Sequence, residues 1–189
     1  MTYQGETTLS LALIHHPVVN KRAEIIGSAV TNLDIHDIAR TARTYGVAQY
    51  FIATPYADQQ QLVQELLAHW ETGHGAVYNP ARREALSIVR LVDGLEAALA
   101  ALTEHYGKRP LLVATSAILR EKTLHYKELG KRIRNGEPVL LIFGTAHGLA
   151  PEVITLADEI LPPIMGGTEY NHLSVRSAAS IVLDRLLGS

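Results

Sequence analysis

The chain has 189 residues, a formal net charge of -2, 47% hydrophobic and 19% charged residues, and no cysteine. That length holds one domain with a substantial core rather than two large ones, and the composition is that of a globular soluble protein. Disulfides and thiolate metal sites are excluded, the longest apolar runs fall far short of a bilayer span, and no secretory signal pattern is visible, so a cytoplasmic protein without membrane contact is expected.

Leu9 to His16 reads as a buried first strand that stops at Pro17. Asp34 is the expected N-cap of a helix reaching Tyr45 and closed by Gly46, with Ile35, Ile38, Ala39 and Ala42 spaced to form one apolar face. Gln49 to Thr54 is the second strand, ahead of Pro55, and a helix from Asp58 to Trp70 follows, buried through Val63, Leu66, Leu67 and Trp70. Gly73 to Ala85, with Asn79-Pro80 and Arg82-Arg83, reads as a loop by its turn chemistry. Leu86 to Val92 is the third strand, and Leu95, Ala98, Leu99 and Leu102 mark the next helix. Leu111 to Thr115 is a short apolar strand, and Tyr126 to Arg134 a basic helix stopped by Asn135-Gly136. Val139 to Phe143 is the fifth strand, Pro151 opens a short helix, and Glu159 to Leu161 is the sixth strand. The last helix starts near Ser174 and packs through Val175, Ala178, Ala179, Val182 and Leu186. Strands alternating with helices predict an α/β fold, a mainly parallel sheet with helices on both faces, in a single domain over 1–189.

The carboxyl-terminal loops hold the densest chemistry. Gly144 and Gly148 follow the fifth strand, Pro162-Pro163 and Gly166-Gly167 follow the sixth, and Tyr170 to Ser174 leads into the last helix. Loops at the carboxyl ends of parallel strands are where α/β proteins bind ligands, and main chain without Cβ atoms can approach a ligand closely. The glycine pair is neither a P-loop nor a dinucleotide fingerprint. On the first helix, His36, Arg40 and Arg43 lie at i, i+4 and i+7, a cationic stripe suited to phosphate. The same spacing also suits a solvated face with Arg40 or Arg43 paired to Asp37. Nine histidines raise the question of a metal. None is expected: His15-His16 points two rings to opposite faces of a strand, and His69, His74 and His105 have no ligand spacing. His147 and His172 sit in the candidate loops, where loop-stabilising hydrogen bonds and a catalytic role both remain open. Ser174 reads as a helix N-cap.

The order strand, glycine loop, short helix, strand, proline-glycine loop, Asn-x-Leu-Ser, helix resembles the SPOUT (SpoU/TrmD) class of RNA methyltransferases. Within that class it is most similar to the compact proteins sometimes fused to tRNA guanine-N1 methyltransferases. Val113 to Ser116 and Ile38 to Val47 extend the likeness, which covers roughly Asn32 to Thr54 and Thr115 to Leu187. The resemblance implies a carboxyl-terminal trefoil knot, S-adenosylmethionine as methyl donor, tRNA or rRNA as substrate, and a homodimer. It places Arg40 as the catalytic arginine. Thr115, Gly144, Gly148, Leu161, Ile164, Gly166, Tyr170, Asn171, His172, Leu173 and Ser174 fall along the methyl-donor pocket. His36, Arg43, Arg82 and Arg83 are the candidate RNA contacts, the last two alternatively being part of a solvated loop. Two departures from the family pattern stand out: Thr145-Ala146-His147 replaces the usual acidic residue, and His172 and Asn171 displace the usual asparagine before Ser174. They leave room for two other readings, a non-catalytic RNA-binding knot domain and a nucleotide-binding α/β regulator.

Overall fold

The computed structural model describes residues 7–71 and 78–188. In chain order the elements are β1 (Leu9–Ile14), β2 (Val18–Val19), β3 (Ile25–Ile26), α1 (Asn32–Thr44), β4 (Gln49–Ala53), α2 (Ala57–Glu71), α3 (Pro80–Leu86) and β5 (Val89–Val92). Then follow α4 (Leu95–Tyr106), β6 (Leu111–Ala114), α5 (Tyr126–Arg134), β7 (Val139–Gly144), α6 (Pro151–Leu156), β8 (Glu159–Ile160) and α7 (Val175–Leu187). Six strands form one sheet in the order β5-β4-β1-β7-β6-β8, and every neighbouring pair is parallel. The expected α/β architecture with a parallel sheet is what the chain adopts.

Register aligns the strand ends. Ile14 faces both Ala53 and Gly144, and Ala114 faces Ile142 and Ile160. The loops after β1, β6, β7 and β8 therefore leave from the same edge of the sheet. Alternation along each strand divides the core in two. Leu9, Leu11 and Leu13 pack with Ile35, Ile38, Leu129, Val182 and Leu186, so α1, α5 and α7 cover one face. Ala12, Ile14, Leu140 and Ile142 pack with Leu95, Ala98, Leu102 and Val153, so α4 and α6 cover the other. Each fully buried Leu or Ile stabilises the fold by about 1.5–3 kcal/mol.

Local structure departs from expectation at three places. Thr31, not Asp34, caps α1: its hydroxyl accepts from the Asp34 amide at 3.2 Å and donates to the Asp34 carboxylate at 2.7 Å. Asp34 stands at the third helical position, where both its amide and its carboxylate meet the cap hydroxyl. The stretch expected to be a loop from Gly73 to Ala85 contains α3; Asn79 accepts from the Arg82 amide at 3.0 Å and Pro80 occupies the first helical turn. Asn-Pro is a turn signal and a helix-start signal alike, and here the second meaning wins. Because α3 takes Leu86, the third strand of the main sheet starts at Val89. Gly73 and His74 lie outside the described residues.

β2 and β3 form a small antiparallel hairpin between β1 and α1, with strands too short for any sequence period to announce them. Ser174 caps α7 as expected, accepting from the Ser177 amide at 3.2 Å. α7 is clamped to α1 by Arg176, which reaches Asp34 at 3.3 Å and Asp37 at 3.0 Å. It approaches α5 at Gly130, where a Cβ would lie 2.6 Å from the Leu186 carbonyl oxygen. Among the described residues no helix is long and apolar enough to cross a membrane.

Candidate functional site

Three loops leave the carboxyl edge of β6, β7 and β8, as their parallel directions require. The loop after β6 starts at Thr115, whose amide and hydroxyl both donate to the Ile142 carbonyl, at 3.1 and 3.0 Å. After β8, the Leu161 amide donates to Ala114 at 2.9 Å and its side chain is buried. The two loops are joined where Asn171 Nδ2 donates to the Ala117 carbonyl at 3.0 Å, the Leu124 amide to Ile160 at 2.8 Å and the Tyr126 hydroxyl to Pro162 at 2.9 Å. Leu161 and Asn171 are thus brought to the loop that Thr115 opens, and Ile164 packs half-buried against the core cluster that holds Leu161.

From Ile164 to Leu173 the main-chain amides donate to no acceptor among the described residues. Polar main chain left without partners is normally satisfied by water or by a ligand. Apolar side chains stand exposed on both loops: Ile118 and Leu119 on one, Met165, Tyr170 and Leu173 on the other. Gly166 has no heavy atom near the place of a Cβ, and Gly167 has a φ of 78°. His172 is exposed, its ring edge-to-face with Tyr170 at 5.4 Å. Free amide donors beside apolar walls match an adenine-bearing cofactor, whose base offers hydrogen-bonding edges and two flat apolar faces. S-adenosylmethionine fits this donor set.

The loop after β7 is tightly packed at its first glycine. A Cβ on Gly144 would overlap the Leu149 amide nitrogen, so Gly144 is small in order to let its own loop fold back. Gly148 has a φ of 113°, backbone that side-chain-bearing residues rarely adopt. Between them, Thr145 is buried and donates to the Ile14 carbonyl at 3.1 Å while meeting the Ser28 hydroxyl. Ser28 in turn meets Nδ1 of the fully buried His15 at 3.1 Å. Burial pushes the His15 imidazole below its ordinary pKa. Neighbouring His16 instead packs edge-to-face on Tyr56, so the two rings have different partners. Among the described residues no cluster of His, Asp and Glu could hold a metal.

The cationic stripe of α1 is divided. Arg43 pairs with Glu84 of α3 at 3.0 Å. His36 is half-buried, edge-to-face with Trp70 at 5.5 Å, and Arg82 lies over the same Trp70 ring at 4.8 Å. Burial, then the charge of Arg82, lowers the pKa of His36. These three residues tie α1, α2 and α3 together, while Arg83 is exposed. Arg40 is exposed and makes no ion pair among the described residues. The Asp37 partner that spacing offered it is taken by Arg176. Arg40 lines a groove of about 630 Å³ between α1 and α7, together with Thr44, Tyr45, Ser174 and Ser177. Ser174 belongs both to this groove and to the end of the cofactor-loop segment, which brings the arginine to that end of the site. The hydroxyl seam of this groove, with Thr41 and Ser180 at 3.1 Å, is a feature that sequence reasoning missed. Thr41 and Thr44, like Ser174, Ser177 and Ser180, recur every three residues, which is the signal that could have found it.

A family model described as SAM-dependent RNA methyltransferase matches residues 8–188. A tRNA (guanine-N(1)-)-methyltransferase of Oleidesulfovibrio alaskensis is 48% identical over 180 residues, covering 95% of this chain but 42% of that protein. The chain thus spans less than half the length of that relative. An uncharacterized protein of Aquifex aeolicus is 39% identical over 177 residues, covering 93% of this chain and 86% of that one. Among solved structures, the SpoU methyltransferase AviRb of Streptomyces viridochromogenes, in complex with AdoMet, superposes with a TM-score of 0.55 at 17% identity, over 98% of this chain and 61% of that one. At that identity the likeness speaks for the fold. The family match over nearly the whole chain, on a parallel sheet whose loop edge carries the donors described above, establishes that the chain belongs to the SAM-dependent RNA methyltransferase family.

Proposed function

We propose that this chain transfers a methyl group from S-adenosylmethionine to tRNA or rRNA. The observation that carries the reading is the run of unpartnered amides from Ile164 to Leu173 beside exposed apolar side chains, at the edge where the loops of β6 and β8 meet. When bound, the cofactor supplies an electrophilic methyl on a sulfonium. The chain's contribution is position: free amides between Ile164 and Leu173 hold the cofactor, Leu161 and Ile164 floor its site, and Thr115 fixes the facing loop. Holding the two reactants in line converts a bimolecular step into a nearly unimolecular one. Arg40, with a free guanidinium on the α1–α7 groove, holds the RNA backbone by forking two phosphate oxygens.

The proposal includes one domain over 1–189, threaded as a trefoil knot and working as a homodimer in the cytoplasm. Support for the threading comes from the return of the chain: β8 adds to the outer edge of the sheet, beyond β6, and the next helix packs against α1 and α5. Support for the dimer is the open α1–α7 groove, from which Arg40 can serve a second copy. The guanine-N1 position named for the Oleidesulfovibrio protein is not carried over, since that chain is more than twice as long.

Incubation with methyl-labelled S-adenosylmethionine and in vitro transcribed tRNA and rRNA tests the reading. Label in RNA is the expected result. Cofactor and RNA binding without transfer would mean a non-catalytic RNA-binding domain; binding of neither would overturn the proposal.

A further inference from the structure

The hairpin between β1 and α1 is not used by any step above, yet it is firmly anchored. Three main-chain hydrogen bonds join it to the loop after β7: the Val19 amide to the Gly148 carbonyl at 3.0 Å and the Ala150 amide to Pro17 at 3.3 Å, which together make a bridge between Val18 and Leu149, and the His147 amide to Val19 at 3.0 Å. Its tip is fixed from inside. Asn20 Oδ1 accepts from the amides of Arg22 and Glu24 at 2.8 and 3.1 Å, and Asn20 Nδ2 donates to the Glu24 carboxylate at 2.7 Å. Ala23 completes the turn at a φ of 60°. The outcome is that Lys21 and Arg22 stand exposed, side by side, on a rigid turn, with no ion pair among the described residues. The one carboxylate nearby, Glu24, is engaged by Asn20.

Between the tip and the β7 loop lies a groove of about 420 Å³, lined by Ile26 and Ala146 and flanked by Lys21, Arg22, the Asn20–Glu24 pair and the exposed ring of His147. Two unpaired cations on a fixed turn, an apolar lining and an exposed flat ring are the parts that hold an unpaired nucleotide: phosphate to the cations, base on the apolar lining and ring. The β7 loop that walls this groove ends at Leu149, beside Gly144 of the site edge.

We infer that the β2–β3 hairpin and His147 form a second RNA subsite, which takes an unpaired nucleotide of the substrate strand beside the cofactor loops. This rests on the reading of the chain as an RNA-binding methyltransferase. It predicts that binding energy is spread over two separate features, Arg40 on α1 and the hairpin, so the RNA is gripped on both sides of the carboxyl edge.

The test compares the wild-type chain with Lys21→Gln/Arg22→Gln and with His147→Ala, using a fluorescently labelled tRNA transcript from 50 to 300 mM salt. S-adenosylmethionine calorimetry on each variant confirms folding. The double variant is expected to bind RNA about tenfold or more weakly at low salt, and its slope of log affinity against log salt is expected to fall by about 1.4–1.8, the loss of two phosphate contacts. His147→Ala is expected to lose about fivefold or more with the slope unchanged, as for a stacking contact. Normal cofactor binding with wild-type RNA affinity and slope in both variants would overturn the subsite and leave the methyltransferase reading intact. A wild-type chain that binds no RNA would overturn both.

Discussion

Arg40 and His15 show how differently two sequence-visible residues are used. Arg40 keeps an exposed guanidinium because Asp37, the neighbour that could neutralise it, is held by Arg176 at 3.0 Å. Arg40→Ala should therefore cost little stability, within about 0.5 kcal/mol. It should reduce methyl transfer about a hundredfold, as when an electrostatic contact to the reacting partner is removed, and leave cofactor affinity unchanged; transfer assays beside calorimetry check this. His15 is a buried neutral imidazole whose Nδ1 meets Ser28. Burial lowers its pKa from 6.5, so the unfolded chain binds the proton more readily than the folded one. Its contribution is then fully present above pH 6.5 and is lost as the pH falls toward the depressed folded value. His36 shifts the same way. Urea denaturation from pH 8 to 5 should show stability falling below pH 6.5, and His15→Asn should flatten that fall; an unchanged slope would contradict the assignment.

At the level of elements, most of the sheet is legible in the amino-acid order alone. β1, β4, β6 and β7 are apolar runs bounded by proline, glycine or hydroxyl residues, and α1, α5 and α7 carry their buried residues at helical spacing. What sequence could not supply is whatever depends on a partner far along the chain. β2 and β3 are two residues each, below any detectable period. α3 hid behind an Asn-Pro pair that signals turn and helix start equally. The candidate site was legible as loops, because glycine and proline mark them. The role of Gly144 was not, because the atom that forbids a side chain there belongs to Leu149. Nor was the Ser28 to Thr145 contact, which joins residues 117 positions apart. Gly144→Ala should destabilise the fold by about 1–3 kcal/mol through overpacking, measurable as a lowered urea midpoint. A midpoint equal to wild type would mean the loop can move aside.

For the whole molecule, a parallel sheet with aligned strand ends gathers every loop of interest on one edge. The β6 and β8 loops face each other with free amides and exposed apolar groups, the β7 loop folds back on Gly144, and Arg40 waits at the end of the 161–174 segment. This arrangement makes the location of the cofactor a sharp question. Amide hydrogen exchange of the free chain against the chain saturated with S-adenosylmethionine answers it most directly. Amides without protein acceptors exchange fast until a ligand covers them, so slowed exchange is expected from Ile164 to Leu173, with lesser changes around Ala117 to Leu119. No protection in that stretch, or protection confined to the β2–β3 hairpin and Ala146 to Gly148, would contradict the placement of the methyl donor.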